Sequence, residues 1–463
     1  GRGGFQLSSA TLLVCVQLGD RTEPASSDIT GVCQPPGPDA AVGPGVDGSG
    51  NQAPDACAPI CTVGVVMGCD GMAVQCPGEC SQDAARCATI TPSSGLPRDL
   101  PMGANANLML GNNTSVNTMT GAITQGNTVI RSAGAGVING VHFEQRMTAS
   151  GYALGVFSMQ SLAIDGTVSF TGTSFEGNLG NFVVAPAAVL FATDITISAT
   201  GALDVRGGCN GLRNCPGVGG GIGAYNSNSD ELTPATGCGA GNSASRASDY
   251  TAGSGGGFLR MGGSGGGNTA SAGTIGGAQC DISTTELSGG SGGGVSSANL
   301  ELLGGGSGGS IQLTALGQLT FAGRIYAGGM GGDGGYEQAI CGGSGGGSGG
   351  MVLLEATVMT IGNGAIWAQG GGGGGGATPL TDGLRGASAF EGVALGGNAT
   401  DSAGVGGNGS TTGAGSPGAD GTTNGGGGGG GGSGRVVVRA GNALGLGSTM
   451  GIPPAEVFPA VVD

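Results

Sequence analysis

Few residues in this chain carry chemistry, and their placement limits what that chemistry can be. The single histidine, His142, stands in Gly140-Val141-His142-Phe143-Glu144, a predicted strand. A catalytic base is one reading of it; a structural histidine on a half-exposed strand is the expectation. Gly-x-Ser-x-Gly occurs at Gly262–Gly266 and Gly289–Gly293, but a nucleophile elbow needs a strand running into a helix. In Gly/Ser tracts such matches arise from composition, as do those to Gly-x-Gly-x-x-Gly. Lysine is absent, all 14 cations being arginine. That removes the Walker-type phosphate loop and Schiff-base or pyridoxal chemistry.

Acid–base cleavage of polysaccharides needs carboxylates clustered on one outer face, with arginine or calcium beside them. Asp194, Asp204 and Arg206 fall in one repeat of the sequence, Glu355 in another and Arg324 in a third. They do not align, so they are expected to be solvated wall charges, and no enzyme is expected. Gly328-Gly329-Met330-Gly331-Gly332-Asp333 matches the start of a calcium-binding nonapeptide, but Gly335 stands where an apolar residue should follow. That motif works in tandem copies. Thr196, Thr320 and Thr360 recur at one position of the repeats, a threonine ladder too short for an ice-binding surface. Tyr326 and Trp367 also align, and are expected in a wall or core role rather than stacking on sugar. No catalytic, cofactor-binding or metal site is expected, and no cofactor.

Thirteen cysteines offer a different chemistry. Cys15, Cys33, Cys57, Cys61, Cys69, Cys76, Cys80 and Cys87 come early; Cys209, Cys215, Cys238, Cys280 and Cys341 lie in or beside glycine-rich sequence. From Cys57 to Cys87 the spacing is C-x3-C-x7-C-x6-C-x3-C-x6-C. It lacks histidine and matches neither a zinc ribbon nor a zinc finger. A disulfide-stapled module is therefore expected, with its pairing open. The odd total leaves at least one thiol free or bonded to another molecule. Cysteine used this way belongs to an oxidising compartment, here the cell exterior or surface.

The elements that must position these residues follow from composition. Of 463 residues 112 are glycine, only 10% are charged and 4% aromatic, and the net charge is −16. Glycine without a strict three-residue period excludes a collagen triple helix. An acidic chain is a poor partner for nucleic acid or anionic lipid, and no apolar run is long enough for a membrane span. Residues 1–33 form an apolar N-terminal strand segment, 34–56 a Pro/Asp/Gly linker, 57–92 the disulfide-rich module and 100–455 a glycine-rich body. In the first, Phe5, Leu7, Leu12, Leu13, Val14, Val16 and Leu18 read either as the remnant of a signal sequence or as a strand buried against a neighbouring subunit.

The body repeats. GGGSGGSIQLTALGQLTFAGRIYAGG from Gly304 aligns with GGGSGGMVLLEATVMTIGNGAIWAQGG from Gly345. VLFATDITISATGALDVRGG from Val189 is an earlier copy, and a last begins at Gly432. Each block shows three short alternating segments; in the first, Ile311 and Leu313, Leu319 and Phe321, and Ile325 and Ala327 point inward. Alternation of this kind marks half-buried strands. Repeats too short to bury a face alone stack as coils, so an all-β, right-handed parallel β-helix (a β-solenoid) is predicted. The glycine-rich stretches, about 207–309, 328–350 and 370–434, then become insertions at one corner. Flexible loops are one reading; a second layer of extended or polyproline-II glycine strands is favoured, with Gly370–Gly376 and Gly425–Gly432 as candidates.

With its Pro/Asp-rich start, the module CAPICTVGVVMGCDGMAVQC and these coils, the chain resembles glycine-rich secreted proteins of myxobacteria and related predatory bacteria. The resemblance runs from about Asp39 to the end and implies a secreted or surface β-solenoid, with no catalytic residues. The expected function is a subunit of an extracellular filament or surface matrix, its partners being copies of itself joined head to tail by Phe5–Leu18 acting as a donor strand. The alternative is a monomeric adhesin or glycan-binding stalk, with extracellular glycans as partners. A polysaccharide-degrading β-helix enzyme and an ice-binding protein are lesser readings.

Overall fold

Alternating segments of successive repeats pair with one another in parallel, and this pairing builds the body. The computed structural model describes residues 60–62, 65–67, 72–76, 80–81, 86–103, 107–175, 182–209, 212–226, 232–244, 250–296, 301–337, 340–444 and 451–460. The apolar segment Phe5–Leu18, the linker, and Cys15, Cys33, Cys57 and Cys69 lie outside them. Ala58–Asp463 is one compact unit. In the cysteine module, Ile60–Thr62, Val65–Met67 and Ala73–Gln75 form a small antiparallel sheet.

The strands of the body are β1 (Asn107–Leu110), β2 (Thr114–Asn117), β3 (Ile123–Gln125), β4 (Thr128–Arg131), β5 (Gly136–Ile138), β6 (Val141–Met147), β7 (Ala153–Ile164), β8 (Thr167–Thr171), β9 (Ala187–Ile197), β10 (Ala202–Asp204), β11 (Ser310–Phe321), β12 (Arg324–Tyr326), β13 (Met351–Ile361), β14 (Ala365–Trp367), β15 (Arg435–Leu444), β16 (Gly451–Ile452) and β17 (Glu456–Pro459). One sheet has the order β5-β6-β7-β9-β11-β13-β15-β17, with β1 also on β7; the other has the order β16-β14-β12-β10-β8-β2-β3-β4. From β7 and β8 onward every pairing within these two sheets is parallel. Toward the other end, β2-β3-β4 and β5-β6-β7 are antiparallel. Buried there, Arg131 donates to the carbonyls of Gly121, Ser132, Gly134, Gly136 and Val141 at 2.7–3.0 Å.

Ile311, Leu313, Leu319, Phe321, Ile325 and Ala327 all lie in one apolar core between the sheets. The predicted three strands per repeat are two, however. Ile311–Leu313 and Leu319–Phe321 belong to the single twelve-residue strand β11, whose register shifts between Ala315 and Gln318. A bulge bends a strand without ending its pairing, so the bend at Leu316-Gly317 stays inside the ladder. The long strands also differ from the half-buried expectation: Met351–Ala356 is buried on both faces. Val352 and Leu354 face the core, while Met351 and Leu353 pack against a second apolar cluster containing Leu96, Leu100, Phe258 and Leu287. Strands covered on both sides lose polar alternation, which is why MVLLEA reads as a continuous apolar run.

Between β10 and β11, β12 and β13, and β14 and β15 the chain leaves into the glycine-rich stretches, whose described segments are hydrogen-bonded to one another. In segment 341–350, Gly343, Gly346 and Gly349 donate to Gly426, Gly429 and Gly432; Ser344, Gly347 and Gly350 donate to Asp333, Met330 and Ala327; Gly345 and Ser348 donate to Gly294 and Ser291. The same segment accepts bonds from Gly253 and Gly256, from Gly305 and Gly308, and from Gly371 and Gly374. Each direction recurs at every third residue, the repeat of polyproline II. Segments 368–377 and 425–434 follow the same rule, and all three are buried. The contacts leave no room for a side chain: a Cβ on Gly373 would lie 2.1 Å from the Gly428 carbonyl oxygen.

Disulfides join Cys76 to Cys87, Cys209 to Cys215 and Cys238 to Cys280. Cys341 is a buried thiol rather than a disulfide partner. Disulfides at these positions fit an oxidising, non-cytoplasmic environment. Among the described residues no helix is long and apolar enough to cross a membrane.

Candidate functional site

The charged residues singled out in the sequence are not brought into one site. Asp194 is exposed and accepts from the Gln318 amide at 2.9 Å. Arg324 is exposed on β12, in register with Ala202 and Ala365. Asp204 and Arg206 form a bidentate pair, Nε at 2.9 Å and Nη2 at 2.7 Å. Glu355 corrects the expectation of solvated wall charge, because it is wholly buried. Its carboxylate accepts from Gln312 Nε2 at 2.7 Å, Thr314 Oγ1 at 2.7 Å, the Ser93 amide at 3.0 Å and Arg439 Nη1 at 3.2 Å. These bonds hold segment 88–103 on the covered face of the first sheet. They saturate the carboxylate and leave it no acid–base work.

His142 is buried rather than half-exposed. Its Nδ1 lies 3.3 Å from Ser158 Oγ, and that hydroxyl donates to the Pro101 carbonyl at 2.6 Å. The serine is thus committed to a backbone acceptor, and burial holds the imidazole below its ordinary pKa. Asp333, the acid of the calcium-like motif, is buried between Arg385 Nε at 3.1 Å and Arg213 Nε at 3.8 Å, with the Leu303 amide at 3.2 Å. Burial raises its pKa against the pull of both arginines. Among the described residues no three His, Cys, Asp or Glu side chains converge to hold a metal.

Tyr326 and Trp367 do meet, with ring centroids 5.1 Å apart and nearly parallel. Phe390 stacks on Tyr326 at 4.7 Å, and the Arg206 guanidinium lies 4.2 Å from the Phe390 centroid. The Tyr326 hydroxyl donates to Glu391 at 2.8 Å. Phe390 and Glu391 were missed in the sequence because they sit in a turn of the glycine layer; an aromatic beside an acid in a Gly/Ala tract was the available signal. Thr196, Thr320 and Thr360 pair in register as one ladder, which continues into Ala163 and Met109 and so stays three threonines long.

A second surface was also missed. Segments 394–400, 403–410 and 414–421 lie side by side: Gly406 and Gly409 donate to Gly397 and Ala394, and Ser416 and Ala419 donate to Asn408 and Val405. In the middle segment Gly404, Gly406, Gly407 and Gly409 are buried while Val405 and Asn408 are exposed. In the first, Leu395 and Asn398 are exposed. The three-residue repeat that buries glycine in two directions therefore turns a side chain outward in the third. Half of the residues lining an adjoining open groove of about 640 Å³ are glycine, and its one carboxylate, Asp420, accepts from the Gly267 amide at 2.7 Å.

No protein-family model, curated protein or solved structure matches this chain.

Proposed function

We propose that the protein is a secreted structural protein of the cell surface or extracellular matrix, of the kind its resemblance to glycine-rich myxobacterial proteins implies. Its body is read as a right-handed parallel β-helix, the hand that parallel crossovers almost always take, with a polyproline-II glycine layer closing the third side of each coil. The hydrogen-bonded layer carries this reading: three buried glycine segments bonded in every lateral direction give rigidity. Glu355, His142, Ser158 and Asp333 are buried in contacts within the fold, and the exposed Asp194 and Arg324 are not brought together.

The filament mode is part of the proposal. The two ends of the paired sheets are unlike: one finishes in antiparallel strands, the other in the short β16 and β17. Contact between unlike ends is heterologous and propagates unless it closes into a ring. In this proposal the apolar segment Phe5–Leu18 acts as a donor strand that completes a neighbour's sheet edge. Electron microscopy of native, unreduced protein tests this. Fibres are expected, and folded monomers from a variant lacking residues 1–18; single particles from the native chain would overturn it.

The second reading is a glycan-binding surface protein. It is favoured by the outward row Leu395, Asn398, Val405 and Asn408, which is uncharged in a chain of net charge −16.

A further inference from the structure

The outer row of the glycine layer has a pattern that neither rigidity nor assembly requires. Segments 394–400 and 403–410 run antiparallel, with Gly406 bonded to Gly397 and Gly409 to Ala394. That register sets Asn398 beside Val405 and Leu395 beside Asn408, whose Oδ1 also accepts from the Gly396 amide at 2.8 Å. Along each segment apolar and amide groups alternate at a spacing of about 9 Å, three residues of polyproline II. Across these two segments they alternate again, and Leu384 and Ala387 of the next segment, bonded to Asn398 and Leu395, add apolar surface beside them. The backbone beneath is fixed by bonds from Gly404, Gly407 and Ser410 to segment 425–434 and from Gly397 to Gly373. Little ordering entropy is left to lose on binding.

We infer that this face binds an extended, uncharged polysaccharide, an inference resting on the glycan-binding reading above. Sugar rings present C–H patches and hydroxyls in alternation. An amide both donates and accepts, while valine and leucine cover C–H surface. The four side chains carry no charge, so the row offers an acidic or basic polymer no ion pair. Phe390, 46% exposed, stands in the turn leading into the row.

The test uses the full chain, incubated with microcrystalline cellulose, chitin or cross-linked agarose and followed by depletion from solution. Leu395 and Val405 are 62% and 44% exposed, so Leu395→Arg and Val405→Arg should melt at the native temperature. The native protein should be retained on at least one matrix. Each arginine variant should lose about tenfold in apparent affinity, roughly one decade of the binding constant. Thr320→Arg, on the first sheet, should bind like the native chain. Retention on no matrix, or retention unchanged by both row variants, overturns the inference. So does shaping of ice crystals, or self-association abolished by the row variants, in place of polysaccharide binding. Fibres without retention would sink this inference while leaving the structural reading intact; retention by discrete particles would support it and sink the filament.

Discussion

Glu355 and Arg439 meet at 3.2 Å on neighbouring strands of the first sheet, and both side chains are shut away from solvent by segment 88–103. Cutting one member from such a pair leaves a buried charge without its counter-ion, which typically costs 3–5 kcal/mol. Glu355→Ala is therefore expected to lower stability by about 3 kcal/mol or more. Amide exchange should rise most at Ser93 and Ser94, which are anchored to Glu355 and Gln312. The double variant Glu355→Leu/Arg439→Met should recover most of the loss, since an apolar replacement of a buried pair is often neutral. A melting series on the three proteins checks it, and an unstable double variant would point to the hydrogen bonds rather than the charges.

A methyl group added at a central glycine should cost more than a side chain trimmed on the outer row. Gly373→Ala places a Cβ 2.1 Å from the Gly428 oxygen, so the segments must part and lose bonds on both sides. Overpacking commonly costs about 1–3 kcal/mol, and a rigid backbone neighbour puts this case at or above the upper end. Leu395→Ala, on the exposed face, should stay within about 0.5 kcal/mol of the native chain. Equal melting temperatures for the two variants would contradict the lattice.

Cys238 and Cys280 close a loop with a sequence separation of 42. By chain entropy such a link is worth about 4 kcal/mol, so Cys238→Ser/Cys280→Ser should melt well below the native chain. Burial pushes the Cys341 thiol up, and the thiolate is the reactive form. The peptide bearing Cys341 should thus resist alkylation in the folded, unreduced protein and react once unfolded. Mass spectrometry of that peptide reads the outcome; rapid labelling of the native chain would show the site to be open.

Two buried groups should give opposite pH slopes. Asp333 has a folded pKa raised from 3.8, so the native state holds its proton longer than the unfolded chain. Stability from this group is fullest at low pH and declines as pH rises above 3.8. His142 has a folded pKa lowered from 6.5, so the unfolded chain takes up a proton that the fold refuses. Stability then declines as pH falls below 6.5. Asp333→Asn should remove the first slope and His142→Gln the second, in melting temperatures measured across acid pH. A native-like slope in either variant would reassign the effect to other groups.

The strand ladder was legible because Leu319-Thr320-Phe321 and Met359-Thr360-Ile361 carry the same alternation, and they pair as aligned. The candidate glycine runs 370–376 and 425–432 were legible because no other element needs so many residues without side chains. Glu355 was not. A single acid in MVLLEA looks like a solvated position until segment 88–103, far away in sequence, covers it. The outer row was hidden for a similar reason. Leu395 and Val405 are separated by a turn, and only the antiparallel register of their segments brings them to one face.

The period of three in the glycine layer also governs which changes of length the chain can absorb. In segment 368–377, Gly370, Gly373 and Gly376 address one neighbour, Gly371, Gly374 and Ala377 a second, and Gly372 and Gly375 a third. Losing or gaining one residue there rotates every later amide toward the wrong neighbour, whereas a change of three keeps each aimed as before. Frame in this layer is kept in triplets of residues, and divergence in length should accumulate at its turns or in steps of three.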